Sequence, residues 1–102
     1  MSSKTQEQAK SPELQEKNRK PRLYKVIIHN DDFTPMDFVV HVLTKFFKRS
    51  EQESQKIMLE VHNQGSGIAG VYTKEIAETK VLQANRYAKN HEHPLKTSLE
   101  AE

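Results

Sequence analysis

Asn30, Asp31 and Asp32 stand in a row, and His62 follows on a later apolar pattern. An amide carbonyl, two carboxylates and a neutral imidazole can all accept hydrogen bonds, which suits them to an ammonium group with its three N–H donors. A protein's own α-amino group, with a pKa of about 7.7 to 8.0 in peptides, is a natural ligand of that kind. Met58, Val61 and His62 fall at i, i+3 and i+4, so the imidazole borders one apolar helix face. If that face meets Asn30 to Asp32, the acceptors rim a pocket floored by Met and Val. Full burial of a large side chain on such a floor is worth roughly 1.5 to 3 kcal/mol.

Two other readings share these residues. The acids can simply form a turn between a strand and a helix, with His62 a boundary histidine bonded to backbone. Alternatively Asp31, Asp32, His62 and one of His91 or His93 make a metal or acid–base centre. The spacing does not favour an enzyme: there is no His-Glu-x-x-His and no Ser or Cys nucleophile signature, and His91-Glu-His-Pro94 reads as the polar exit from a helix. We therefore expect a binding site with no catalysis, no metal and no cofactor.

The elements that would position these groups follow from the residue pattern. Tyr24, Val26, Ile27 and Ile28 suit a half-buried strand that ends near His29, where Asn30, Asp31 and Asp32 form a turn. Thr34 reads as an N-cap with Pro35 at the first helical position and Asp37 in the first turn. Met36, Val39, Val40, Leu43, Phe46 and Phe47 give that helix one apolar face, up to about Lys48. Ser50 and Glu53 form a capping box for a second helix, about Glu51 to Asn63, with Ile57, Met58 and Val61 inward and Gly65 beyond its end.

Gly65-Ser66-Gly67 reads as a flexible turn, and Ile68 to Tyr72 as a short strand in which Gly70 permits a bulge or a close approach. Thr73 would cap a third helix running to about Asn90, with Glu75 and Glu78 early, Lys80, Arg86 and Lys89 later, and Ala77, Val81, Ala84 and Ala88 inward. Pro94 blocks further helix, and Leu95, Thr97 and Leu99 alternate with Lys96, Ser98 and Glu100 as in a last, one-faced strand. The element order is βααβαβ.

Composition sets the outer bounds. A chain of 102 residues with 34% hydrophobic residues and a mean hydropathy of -0.85 supports one small domain with a modest core. The first 22 residues carry Leu14 as the sole large aliphatic side chain after Met1, so they read as a flexible tail. About 20 extended residues reach at most roughly 70 Å. With 16 basic and 14 acidic residues the formal charge is +2, and the lysines are scattered, which argues against nucleic acid and anionic membranes as partners. There is no cysteine for a disulfide or thiol site, no apolar run of the roughly 18 to 20 residues that crosses a bilayer, and no signal-peptide core. A cytoplasmic protein is the expectation.

From about Arg22 to Glu102 the chain resembles the ClpS adaptors of the bacterial ATP-dependent Clp protease. The resemblance runs through Tyr24-Lys-Val, Asn30-Asp-Asp-Phe-Thr-Pro-Met36, Ile57-Met-Leu-Glu-Val-His62, Gly70-Val-Tyr-Thr73, Glu75-Ile-Ala-Glu-Thr-Lys-Val81 and Glu92-His-Pro-Leu95. Several blocks in the right order are more specific than any one motif. Two positions depart from the pattern: Phe33 stands where a tyrosine is frequent, and Ala69 where a cysteine often precedes Gly-Val-aromatic. Loss of the tyrosine hydroxyl would remove one hydrogen bond, about 0.5 to 1.5 kcal/mol net.

The resemblance implies a monomeric α+β adaptor domain, residues 23–102, with a three-stranded antiparallel sheet against three helices and a disordered N-terminal extension, residues 1–22. It implies recognition of proteins that begin with Phe, Tyr, Trp or Leu and their delivery to the ClpA unfoldase. By the same analogy Asn30, Asp31, Asp32 and His62 hold the α-amino group, directly or through water. Thr34, Met36, Val39, Met58, Val61 and Leu95 line or gate the side-chain pocket, with Met36 the gate against β-branched residues. Glu75 and Lys80 contact the unfoldase N-terminal domain, and the extension engages the unfoldase during delivery. The competing expectation is a regulatory domain that inhibits or redirects a protease without presenting N-terminal substrates.

Overall fold

The computed structural model describes residues 21–102; residues 1–20, the bulk of the expected flexible tail, lie outside the described residues. Six elements follow in the order βααβαβ: β1 (Leu23–His29), α1 (Met36–Phe47), α2 (Glu51–Gln64), β2 (Ser66–Thr73), α3 (Lys74–Asn90) and β3 (Lys96–Ala101). The strands form one antiparallel sheet with β1 between β2 and β3. All of β1 pairs with β2, from Leu23 with Thr73 to His29 with Ser66, and Tyr24 to His29 pair with β3.

Alternation along β1 decides which sheet face is covered. Val26 and Ile28 point into the core at 0% exposure, against Val39, Val40, Val42, Leu43 and Phe47 of α1, Met58 and Val61 of α2, and Ala77, Ala84 and Ala88 of α3. The alanine stripe brings α3 close to the sheet. Ser54 of α2 is buried with the core, and its hydroxyl finds no partner among the described residues.

Local chemistry sets the element ends. The Ser50 hydroxyl accepts from the Glu53 amide at 3.0 Å while the Glu53 carboxylate accepts from the Ser50 amide at 3.2 Å, completing the capping box of α2. At its other end Gly65 takes φ 94°, a left-handed conformation that glycine adopts without a Cβ clash, and its N–H donates to Val61 O at 2.9 Å. Gly65 alone completes the reversal. Ser66 and Gly67, expected in a flexible turn, are instead the first residues of β2, and Gly67 is buried so tightly that a Cβ would stand 2.9 Å from Val61 Cγ2. The register shifts between Val26 and Ile27, whose partners are Gly70 and Ile68, so Ala69 is the extra residue of a β-bulge.

The start of α1 differs from the expected cap. Pro35 is the N-cap, with φ -63° and ψ 145°, and the helix begins at Met36; Thr34 makes no capping bond. Proline needs no amide partner there, and its carbonyl accepts from the Phe38 and Val39 amides at 3.1 and 3.3 Å. Thr73 precedes α3 in an extended conformation and likewise makes no side-chain cap. The last strand is held by Asn85 of α3, whose carbonyl oxygen accepts from the Thr97 amide at 2.8 Å and hydroxyl at 3.1 Å. None of the described helices is long and apolar enough to cross a membrane.

Candidate functional site

The turn after β1 and the end of α2 are joined by one backbone bond: the Asn30 amide donates to Gly65 O at 2.9 Å. This contact brings the acidic turn to the helix end that carries Met58, Val61 and His62. Within the turn Asp31 is the organiser. Its Oδ1 accepts from the amides of Phe33 at 2.8 Å and Thr34 at 2.7 Å, and its Oδ2 accepts from the Thr34 hydroxyl at 2.7 Å. Side-chain bonds of this kind to the next residues fold the backbone into a turn without a partner strand. Partial burial of the Asp31 carboxyl on its own would raise its pKa. The hydrogen bonds from Thr34 and Phe33 and the charge of His93 outweigh that effect and hold it below the ordinary carboxylate value.

The result is a cleft of about 370 Å³ bounded by the turn and by the facing sides of α1 and α2. Asn30, Asp32 and His62 stand exposed at its rim. Its floor is Val39, Met58 and Val61, at 6, 8 and 3% exposure. Met36 lies at the mouth, 43% exposed, and Thr34 lines the wall beside it. Accepting groups above an apolar floor can bind an amine and the side chain next to it at the same time. Among the described residues no group of three or more His, Asp or Glu side chains is arranged to hold a metal ion.

Leu95 belongs to the same buried core as Val39, Met58 and Val61. It is buried, and it lines a different concavity, between α3 and the segment that leads into β3. Glu75 is exposed in the first turn of α3, whereas the Lys80 ammonium donates to Phe46 O at 2.7 Å and lies 5.8 Å from the Tyr72 ring centroid. Lys80 therefore ties the carbonyl end of α1 to α3, where a cation also meets the negative end of the helix dipole.

The residue pattern does not assign two residues of the turn to the pocket. Phe33, 79% exposed, and Pro35 both border the cleft. His93, named beside Asp31 in the metal or acid–base reading, packs its ring edge-on against Phe38 with centroids 4.4 Å apart, and its charge helps to lower the Asp31 pKa. The one available signal was Asp31-x-x-Thr34, the spacing of a side-chain-organised turn.

The family profile described as "ATP-dependent Clp protease adaptor protein ClpS" matches residues 19–98. A small α+β domain with that match defines a Clp protease adaptor. The chain belongs to the ClpS family. The ATP-dependent Clp protease adapter protein ClpS of Rhodospirillum centenum is 54% identical over 84 residues, covering 82% of this chain and 78% of its own. The adapter of the same description from Caulobacter vibrioides is 52% identical over 88 residues, covering 86% and 81%. Among solved structures, Agrobacterium tumefaciens ClpS2 bound to L-phenylalaninamide superposes with a TM-score of 0.79 at 40% identity, over 81% of this chain and 100% of that one.

Proposed function

We propose that this Clp protease adaptor binds the free α-amino end of proteins that begin with Phe, Tyr, Trp or Leu and hands them to a ClpA-type unfoldase. The observation that carries this reading is the cleft itself, in which Asn30, Asp32 and His62 stand over Val39, Met58 and Val61. Its volume of about 370 Å³ falls in the range of roughly 300 to 1,000 Å³ typical of ligand pockets. The ligand of the Agrobacterium ClpS2, an amino acid amide with a free amine and a benzyl side chain, has the two features that such a cleft would bind.

In this reading Asn30, Asp32 and His62 accept the ammonium N–H groups, directly or through water, and Asp31 contributes its remaining acceptor capacity and its charge. Charge-assisted hydrogen bonds are roughly twice as strong as neutral ones, so the protonated amine is the recognised form. The first side chain of the substrate enters past Met36 onto Val39, Met58 and Val61. No bond is made or broken, and the adaptor acts as a monomer in the cytoplasm. Delivery uses the N-terminal half of α3, where Glu75 is exposed and Lys80 also lies, to meet the N-terminal domain of the unfoldase, together with the extension formed by residues 1–22.

The test is fluorescence anisotropy of a labelled Phe-starting peptide against its N-acetylated twin, repeated with chelator. Selective, chelator-insensitive binding of the free amine is the expected result. Equal affinity for the two peptides would overturn the amine-binding role. For delivery, Glu75→Lys should weaken binding to the isolated unfoldase N-terminal domain and leave peptide affinity unchanged.

A further inference from the structure

A second concavity, of about 460 Å³, lies between α3 and the residues that lead into β3. One wall is a single face of α3, because Leu82, Arg86 and Lys89 stand at i, i+4 and i+7. The other wall is the run from His93 to Lys96. Leu95, 3% exposed, forms the apolar floor, and Leu82 stands at the edge with 62% of its surface exposed. The side chains of Arg86, Lys89 and Lys96 are all exposed around it, and no carboxylate is among the described residues that line it.

The concavity is built before any ligand arrives. Its one amide side chain, Asn85, is engaged with Thr97: Oδ1 accepts from the Thr97 amide and hydroxyl, and Nδ2 donates to the Thr97 carbonyl at 3.3 Å. That staple fixes β3 against α3. His93 is fixed in turn by its edge-on contact with Phe38. A preformed wall spares a ligand the entropy of ordering it.

We propose that this concavity is a second peptide-docking site, which takes an acidic polypeptide segment bearing a bulky apolar side chain. The apolar side chain covers Leu82 and Leu95, and flanking Asp or Glu carboxylates meet Arg86, Lys89 and Lys96. Charge complementarity selects the acid: the whole chain carries a formal charge of only +2, so three cations around one apolar floor are a local concentration and not a general basic surface. The Arg86 guanidinium can pair with a carboxylate through two parallel N–H donors, and the lysines supply point charges. Membership of a protease adaptor family makes a polypeptide the relevant bearer of those groups. The site shares no lining residue with the cleft at Asn30 to His62 and does not require a free N-terminus, so it stands or falls independently of the amine-binding reading.

The probe is a labelled, N-acetylated peptide of sequence Glu-Glu-Leu-Phe-Glu-Asp, compared with Lys-Lys-Leu-Phe-Lys-Lys by fluorescence anisotropy on the full chain. Acetylation keeps both peptides out of the amine cleft. The acidic peptide is expected to bind at least about tenfold more tightly than the basic one, and to lose most of that advantage at about 0.5 M salt, where charges are screened within a few ångströms. Arg86→Glu with Lys89→Glu should weaken the acidic peptide by about tenfold or more while the Phe-starting free-amine peptide keeps its affinity. Leu82→Asp, also at an exposed position, should have the same direction of effect through the apolar contact. Equal binding of the acidic and basic peptides, or acidic-peptide binding undiminished in both variants, would overturn the proposal.

Discussion

At the scale of single residues, Asp31 and Thr34 form a unit whose effect is felt by their neighbours. Three hydrogen bonds of 2.7 to 2.8 Å occupy most of the acceptor capacity of the Asp31 carboxylate, which leaves Asp32, Asn30 and His62 as the freely presented acceptors. Thr34→Val keeps the shape of the side chain and removes the hydroxyl. It should reduce affinity for a Phe-starting peptide by roughly three- to tenfold, about the value of one charge-assisted hydrogen bond, with Thr34→Ser restoring it. The pH dependence follows from the direction of the Asp31 shift. Its folded-state pKa lies below the ordinary 3.8, so the stability it contributes is present above that value and is lost as pH falls through the lower, folded value. Acid unfolding followed by circular dichroism should therefore begin at higher pH in Asp31→Asn than in the parent. At the mouth of the cleft, Met36→Ala should admit Ile- or Val-starting peptides; a titration that shows unchanged selectivity removes Met36 as the gate.

At the scale of elements, the loops decide whether the cleft exists. Gly65 turns the chain from α2 into β2 in a conformation that costs an ordinary residue roughly 1 to 2 kcal/mol, and its carbonyl receives the Asn30 amide. Gly65→Ala should lower stability by about that amount in denaturant unfolding and weaken peptide binding as well, since it loosens both walls together. The order of the six elements was legible because period-2 and near-period-3.6 patterns, a Ser50–Glu53 capping box and a helix-stopping glycine all agree locally. That Asn30, Asp31, Asp32 and His62 come together beside Val39, Met58 and Val61 was legible for the same reason. The role of Thr34 was not, because an N-cap and a side-chain-organised turn use the same residue types and differ by whichever backbone amide the chain happens to reach. The residue types relate His93 to Asp31 only as a candidate metal or acid–base partner; its packing against Phe38 was not legible, since that depends on how α1 and the segment after α3 meet and not on any neighbour in sequence.

At the scale of the whole molecule, the cleft, the Glu75 side of α3 and the basic concavity by Leu95 are three separate surfaces on one small core. Removing residues 1–20 should leave the affinity for a Phe-starting peptide unchanged and slow degradation of a Phe-starting substrate by the complete protease. Normal degradation by the shortened chain would reduce the extension to a linker. The placement of β1 has a mechanical meaning. It is the middle strand, hydrogen-bonded on both sides, and the cleft hangs from its last residue and from the Asn30–Gly65 contact. Tension applied to a ligand at that turn, directed along the strand, loads two antiparallel ladders in shear, so their bonds resist together and not one after another. The contacts proposed for the substrate amine and side chain are fewer, and would break first. In the proposed delivery, an unfoldase pulling on the cargo would strip it from the cleft and leave the adaptor folded for another round.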